Sequence, residues 1–196
     1  MSRATPLRYE DADDEQRKVW DALAESRGGG VGLAGDDGAL VGPFNAMVSS
    51  PKIGRRVSAL GHAIRFQNSV ENRLLELAIC TVGAHWRSNF EWWAHRRMAV
   101  EAGIDEAILD ALAAGEAPTF GNDDEAAIHA FADQLVTTGR VDQDRFDRAR
   151  AVVGEQGTLD LISAIGYYCL ISLTLNALEV PLPPGNEPTW TDGQGA

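Results

Sequence analysis

The chain has 196 residues, of which 44% are hydrophobic and 23% are charged, and its formal net charge is −12. This length suits one globular domain that buries its own core, and the negative charge argues against a general nucleic-acid-binding protein. The two cysteines, Cys80 and Cys169, show no zinc-site spacing and are predicted to be reduced core thiols.

Residues 1–40 are predicted to contain a loosely held arm, one amphipathic helix and a glycine-rich loop. The arm covers residues 1–10, and the helix runs from about 13 to 26 with an apolar stripe of Val19, Trp20 and Leu23. The loop contains the pattern Gly-x-Gly-x-x-Gly at Gly30, Gly32 and Gly35. A dinucleotide fingerprint requires a preceding strand. Because a helix precedes this pattern, we interpret the segment as a flexible loop or lid.

Residues 41–183 are predicted to form an all-α domain, because no segment alternates with the period of a strand. Helices are expected at about 51–66, 71–85, 89–102, 106–114, 123–138, 142–153 and 157–178. Gly103 is the expected C-cap of the third of these, and Asn122 or Asp123 is the expected N-cap of the fifth. Residues 184–196 are expected to form an extended tail, with Trp190 docked on the body or on a neighbouring subunit.

The apolar stretch from Leu159 to Leu178 is interrupted by polar residues, which favours a buried helix over a membrane span. No leader with a basic start and an apolar run is seen, so a cytoplasmic protein without a membrane partner is expected. Three polar residues of this stretch recur at helical spacing, Tyr168, Ser172 and Asn176. They predict either a hydrogen-bond network between helices or a pocket wall.

The segment from Ser88 to His95 carries the clearest chemical signal. On a helix, Ser88, Glu91 and His95 share one face, and Glu76 lies in the preceding apolar helix, close enough to meet that face. Two carboxylates and an imidazole in apolar surroundings are the components of a proton-transfer site. The one-turn spacing also permits a direct contact between Glu91 and His95, which would raise the imidazole pKa.

Two other interpretations of these residues are open. Ser88-x-x-Glu91 at a helix start is also the pattern of a capping box. Glu91 and His95, with His85 or Glu76 as a third ligand, would suit a metal ion, but no recognised metal spacing is present, and we predict neither a metal nor a cofactor.

The pattern resembles the carboxymuconolactone decarboxylase/alkylhydroperoxidase D-like superfamily. Its peroxidase branch has a Glu followed, after eleven residues, by Cys-x-x-Cys-x-x-x-His. Glu76 and His95 match the Glu and the His, whereas Ser88 and Glu91 occupy the cysteine positions. The likeness covers roughly residues 40–183, including Gly42-Pro-Phe-Asn45 and Asn176-Ala-Leu-Glu-Val-Pro181. The absence of both redox cysteines points to the decarboxylase-like branch.

The resemblance implies an all-α bundle and a cofactor-independent acid–base enzyme. The reaction would be decarboxylation of, or proton relocation in, a small carboxylated lactone or enolisable acid, with Glu76, His95 and Glu91 as catalytic residues. The predicted substrate-binding residues are Phe44, Asn45, His85, Arg87, Ser88, Trp92, Arg96, Tyr168 and Asn176. Two alternatives stay open: an alkylhydroperoxidase-like antioxidant protein, and a non-catalytic ligand-binding protein on the same fold.

The distribution of charge and the tryptophan content indicate which ligands and subunits the protein binds. Residues 52–97 hold eight basic and three acidic side chains, a local charge of +5 that leaves −17 for the rest. A basic segment in an acidic protein suits capture of a small anion. The resemblance implies a homo-oligomer, a trimer or hexamer, and the exposure expected for Trp20, Trp86 and Trp190 agrees with this.

Overall fold

The computed structural model describes residues 2–26, 33–35 and 37–191. These residues form eight α-helices and no strand, apart from two isolated β-bridges, so the predicted all-α fold is confirmed. The helices are α1 Asp14–Ser26, α2 Phe44–Ser49, α3 Pro51–Phe66, α4 Asn72–His85, α5 Asn89–Glu101, α6 Glu106–Ala114, α7 Asp123–Thr138 and α8 Gln143–Ala177. Gly30 and Gly32 of the glycine-rich loop, and tail residues 192–196, lie outside the described residues.

The last helix consists of two segments. Gly154, with φ 75° and ψ −177°, interrupts Gln143–Ala177, in agreement with the two helices predicted on either side of it. By length and composition α8 is apolar enough to cross a membrane, but half of its most apolar window is buried inside the protein. The core helix of a soluble protein has the same character, so this helix is weak evidence for a membrane span.

The described residues divide into two compact units. Unit 1 comprises residues 2–67 and 174–187, and unit 2 comprises residues 68–173 and 188–191. In unit 1, α1 packs on α2 and α3. The helix α2, which the sequence analysis missed because it is only six residues long, lies against α3 at Gly54. A Cβ at Gly54 would come within 1.8 Å of the Met47 carbonyl oxygen, so this close approach requires glycine.

The N-terminal arm is held in unit 1, which corrects the expectation of a loose arm. Arg3 N donates to Leu178 O (2.8 Å), and Leu7 N donates to the Asn45 side chain (3.0 Å). Asn45 also donates through Nδ2 to Thr5 O (3.0 Å). These bonds satisfy the backbone N–H groups of Arg3 and Leu7 and the carbonyl of Thr5, which an isolated segment would leave to water.

In unit 2, α4 is the central helix. It contacts α5, α6 and α7, and every residue from 74 to 83 is buried. Ten consecutive buried residues cover every face of a helix, so the neighbouring helices enclose α4. The expected caps flank α5–α7: Gly103 (φ 103°) follows the C-cap of α5, and the Asn122 side chain accepts from Asp124 N at the start of α7.

The tail packs on unit 2, as predicted for Trp190. The indole nitrogen of Trp190 donates to Ala113 O (2.9 Å), and its ring stacks edge-on against Trp92 with centroids 5.3 Å apart. Asn89 brackets the Trp190 backbone through two hydrogen bonds. Trp190 and Trp20 are buried, whereas Trp86 is half-buried. The protein interior therefore accommodates Trp20 and Trp190, and the exposure expected for these two residues was wrong.

Candidate active site

A tight turn joins α4 to α5. Arg87 has φ 45°, Arg87 N donates to Ala84 O (3.1 Å), and Ser88 N donates to Gly83 O (3.0 Å). This pair of bonds is a Schellman motif, in which Arg87 occupies the left-handed position usually taken by glycine. Because α5 begins directly after it, α4 and α5 pack against each other, and the faces that carry Glu76 and His95 meet.

The site is built on Glu76, Glu91 and His95, which are 0%, 4% and 7% exposed. His95 Nδ1 lies 2.7 Å from Glu76 Oε2, a hydrogen bond between α5 and α4. On the other side of the ring, His95 Nε2 lies 3.0 Å from Glu91 Oε1. The second contact has the distance of an ion pair but lacks hydrogen-bond alignment, since Glu91 Oε1 has no hydrogen-bond partner among the described residues. The imidazole therefore sits between two buried carboxylates.

The two carboxylates keep the imidazole protonated. Burial alone lowers the pKa of His95, but the charge of Glu91, the hydrogen bond to Glu76, the close approach of Glu91 Oε1 to Nε2 and the charge of Glu76 together raise that pKa from 6.5 to about 9. At neutral pH, His95 is thus an imidazolium with both ring nitrogens facing carboxylates. A buried cation held in one orientation is suited to proton donation.

Tyr168, from α8, covers one edge of the imidazole. Its ring is 4% exposed and lies edge-on to His95, with centroids 5.0 Å apart. Of the polar stripe predicted on this helix, Tyr168 and Ser172 are buried, whereas Asn176 is exposed and belongs to unit 1. Ser172 Oγ has no hydrogen-bond partner among the described residues.

The predicted capping box at Ser88 is wrong. Ser88 is the N-cap residue of α5, but its side chain makes no capping hydrogen bond. The residue is 0% exposed, and its Oγ lacks a hydrogen-bond partner within the described ranges. A buried hydroxyl without a partner costs free energy. The Ser88 hydroxyl is therefore available as a hydrogen-bond donor, one helical turn from Glu91.

Three other predicted binding residues, His85, Arg87 and Arg96, lie outside the buried cluster. Arg96 Nη2 forms ion pairs with Glu106 (3.1 Å) and Asp110 (2.9 Å), so the structure brings this guanidinium to α6 rather than to the imidazole. His85 and Arg87 are exposed at the α4–α5 turn, where the His85 ring packs edge-on against Trp86.

Structural contacts account for the positions of Trp92, Asn45 and Phe44. Trp92 is 2% exposed in a core cluster with Leu77, Cys80 and Trp190, a position that explains it as a core residue. The Asn45 amide is hydrogen-bonded to the N-terminal arm, as described above. Phe44 is half-buried at the start of α2 in unit 1.

The thiols are poorly suited to redox chemistry. Cys80 is 1% exposed, and burial, followed by the charges of Glu76 and Glu91, raises its pKa well above the usual value. Because the thiolate is the reactive species, this thiol is inert at neutral pH. Cys169 is half-buried and accepts a hydrogen bond from the Trp86 indole (3.3 Å). Both cysteines are free.

Within the described ranges, no group of three or more His, Cys, Asp or Glu side chains is arranged to hold a metal ion. The geometry of the imidazole gives the reason. Glu76 and Glu91 face opposite nitrogens of one ring, so their oxygens diverge around the ring instead of converging on one point. The three residues were predictable from the sequence, whereas the direct bond between Glu76 and His95 was not, because it depends on how α4 and α5 pack.

The all-α fold and the buried Glu–His–Glu cluster are the features by which the chain can be compared with known proteins. No family model and no curated protein matches the chain. Among solved structures, it is similar to a protein of unknown function from Agrobacterium tumefaciens that was suggested to be an antioxidant defence protein AhpD. The TM-score is 0.61 at 20% identity, over 71% of this chain and 96% of that chain.

The chain is also similar to the debrominase Bmp8. A cysteine-to-alanine variant of Bmp8 in complex with 2,3,4-tribromopyrrole gives a TM-score of 0.69 at 16% identity, over 92% of this chain and 91% of that chain. The apo enzyme gives 0.66 at 17% identity, with 92% of each chain covered. The chain therefore has the all-α fold of the AhpD-like proteins, which confirms the fold expected from the resemblance. At these identities the likeness establishes the fold alone.

Proposed function

We propose that the chain is a cofactor-independent acid–base enzyme in which His95 donates a proton to a small carboxylated lactone or related enolisable acid. The observation that carries this proposal is the buried imidazolium held between Glu76 and Glu91. A protonated imidazole with a fixed ring is a proton donor at neutral pH, and the enzyme neighbour Bmp8 supports catalysis on this fold.

The chemistry requires only proton handling. When the C–CO₂ bond of such a substrate breaks, its electron pair moves into the conjugated carbonyl as a dienolate, and CO₂ leaves. One carbon of the dienolate must then accept a proton. Glu76 holds Nδ1, so Nε2 of His95 is the donor, and Glu91 beside Nε2 stabilises the imidazolium before transfer. Proton relocation without loss of CO₂ uses the same groups.

The site needs a cation for an anionic substrate, because two carboxylates and one imidazolium sum to −1. Arg87 is the basic side chain next to Ser88 at the start of α5, and it is exposed. We assign the substrate carboxylate to Arg87 and the enolate oxygen to the Ser88 hydroxyl, which is buried without a partner in the described part of the chain.

Peroxide reduction is the weaker alternative. It requires a low-pKa thiolate and normally a second thiol. Ser88 and Glu91 stand at the positions of the redox cysteines, and the pKa of the Cys80 thiol is raised. The two free cysteines favour a reducing compartment, so we place the enzyme in the cytoplasm.

The test is turnover of carboxylated lactones and enones in D₂O, followed by CO₂ release and by deuterium in the product. We expect one deuterium at the protonated carbon, and loss of turnover in His95→Gln. The matched control is His129→Gln, the same change at another imidazole of unit 2, which bonds Thr81 and not the cluster. Substrate binding without turnover in the wild type would instead identify a ligand-binding protein. Turnover of an organic peroxide that a cysteine-free variant loses would identify a peroxidase.

A further inference from the structure

Ser172, on α8, is a buried serine whose hydroxyl makes no hydrogen bond to the described residues. It is 0% exposed, and its Oγ lacks a partner. A helical hydroxyl can donate to the carbonyl one turn earlier. Thr158 and Ser163 of the same helix do so, at 2.7 and 2.8 Å. Ser172 does not make this local bond, although a buried hydroxyl without a partner costs free energy.

The surroundings of Ser172 on its own helix are apolar. Within unit 2, the other buried residues on this face of α8 are Leu161, Ala164, Ile165, Tyr168 and Ile171. Packing alone would favour an apolar residue at position 172, because burial of a hydroxyl is favourable only when the hydroxyl is hydrogen-bonded. The serine therefore indicates a polar partner for this position.

The direction of α8 relative to α4 follows from contacts at two places. The Asp160 carboxylate accepts hydrogen bonds from the Ser69 backbone (2.9 Å) and hydroxyl (2.7 Å), just before α4 begins. The Cys169 sulfur accepts from the Trp86 indole (3.3 Å), at the end of α4. This part of α8 therefore runs in the same direction as α4, and opposite to α5, which follows α4 after the tight turn.

The antiparallel course of α5 and α8 brings Ser172 to the level of Glu91. Tyr168 lies against His95, with ring centroids 5.0 Å apart. Ser172 is one turn later in α8 than Tyr168, and Glu91 is one turn earlier in α5 than His95. In antiparallel helices these two steps lead in the same direction. Glu91 is 4% exposed, and its Oε1, like Ser172 Oγ, has no hydrogen-bond partner within the described ranges.

The hydrogen-bonding capacities of these two groups define the ligand group that suits them. A carboxylate oxygen only accepts, whereas a serine hydroxyl both donates and accepts. A single group that pairs with both must donate to Glu91 and bond to Ser172, as a hydroxyl does. An ionised carboxylate or enolate oxygen cannot donate, and the charge of Glu91 repels it.

We propose that Ser172 and Glu91 bind a hydroxyl group of the substrate, which donates to Glu91 Oε1 and accepts from the Ser172 hydroxyl. The inference rests on the proposed function, because it narrows the substrate to a hydroxylated member of the same class. Glu91 Oε1 is 3.0 Å from His95 Nε2, so a hydroxyl bound there holds the substrate beside the proton donor. The assignments of the carboxylate to Arg87 and of the enolate oxygen to Ser88 are unchanged.

The subsite should discriminate between a hydroxyl group and its methyl ether. An ether oxygen cannot donate, so it leaves the Glu91 oxygen buried without a hydrogen bond, and a site built to bond a hydroxyl rejects an analogue that lacks it. Ser172 is then a substrate-binding residue that determines specificity, and its loss should affect only ligands that carry the hydroxyl.

Titration of the isotope-labelled full chain with phenol and with anisole, followed by NMR at the Trp86 indole, tests the subsite. Phenol carries the hydroxyl but no carboxylate, so its binding requires neither Arg87 nor turnover. The wild type should bind phenol about tenfold or more tightly than anisole. Ser172→Ala should weaken phenol binding about three- to tenfold, the contribution of one hydrogen bond, and should leave anisole binding unchanged.

Ser163→Ala is the matched control, because this exposed serine of α8 bonds Leu159 O, and it should bind phenol as the wild type does. Ser172→Ala should remain folded, since it removes a hydroxyl that has no partner in the described part of the chain. Unaltered phenol affinity in Ser172→Ala would overturn the proposal. So would equal affinity of the wild type for phenol and anisole, or no phenol binding up to about 50 mM, given the binding energy expected of so small a ligand.

The same experiment separates this subsite from the proposed reaction. Phenol binding that depends on Ser172, in a protein that turns over no carboxylated lactone or enone, would support the subsite and contradict the reaction. Turnover that is equally fast with and without a hydroxyl on the substrate, and equally fast in Ser172→Ala, would support the reaction and overturn the subsite.

Discussion

Glu76 Oε2 lies 2.7 Å from His95 Nδ1, although the two residues are nineteen positions apart and belong to different helices. The contact is buried, with Glu76 0% and His95 7% exposed. It leaves Nε2 as the ring nitrogen available for proton transfer, beside Glu91.

Glu76→Gln and His95→Gln should each fold and lose on the order of 10²–10⁴ in turnover, the usual contribution of a general acid or base. Glu76→Gln keeps a side chain of the same shape but removes the charge that helps to protonate His95. The measurement is kcat for each variant beside His129→Gln, which should stay near the wild type. If Glu76→Gln folds and retains full turnover, the role of this carboxylate is structural.

Turnover should fall as pH rises through about 9, because His95 loses its proton there. Below that pKa the acid form is present, and above it the donor is gone. Glu91→Gln should shift this fall to lower pH, since the charge of Glu91 is the first of the interactions that raise the pKa. The control is Glu125→Gln, another buried carboxylate of unit 2, which pairs with Arg73. The idea fails if both variants keep the wild-type profile.

Ser88→Ala should leave the free energy of unfolding unchanged or raise it, because the replaced hydroxyl is buried without a partner among the described residues. If the hydroxyl were a cap, the same change would lower stability by about 0.5–2 kcal/mol. Urea unfolding separates the two outcomes. Turnover should decrease in the same variant, since we assign Ser88 to the enolate oxygen. Asp105→Ala removes an observed cap at α6 and is the matched control.

Cys80→Ala with Cys169→Ser should keep turnover within a few-fold of the wild type. Neither thiol stands at a motif position, the Cys169 sulfur accepts a hydrogen bond from Trp86, and the pKa of Cys80 is raised. Turnover of a carboxylated lactone by the double variant is the measurement, with circular dichroism as the check on folding. A folded double variant without activity would restore a thiol mechanism.

Trp190→Ala should destabilise the protein by about 3–5 kcal/mol, as loss of a buried Trp does. Trp190 is 7% exposed and contributes both its ring and its indole hydrogen bond to unit 2. Trp93→Ala, at a residue that is 39% exposed on α5, should cost much less. Equal losses in the two variants by urea unfolding would show that the tail does not contribute to the core.

Much of the fold was predictable because local signals agree with the final structure. Gly103 and Asn122 mark helix ends through conformations that hardly depend on distant residues, and Gly154 separates two helices where the sequence indicates a break. The helix α2 was missed because six residues give too little periodicity. The arm was misjudged because Asn45, thirty-eight residues after Leu7, supplies its hydrogen bond.

The sequence by itself determined the all-α class, the approximate boundaries of every helix except α2, and the shared face of Glu91 and His95, because these depend on local signals and helical spacing. Only the tertiary structure decided the partners of the polar atoms. It brought Glu76 to Nδ1, left Ser88 without a cap partner, and directed Arg96 to Glu106 and Asp110. These outcomes depend on how helices pack, and a distance of a few ångströms between two helices separates a hydrogen bond from no contact at all.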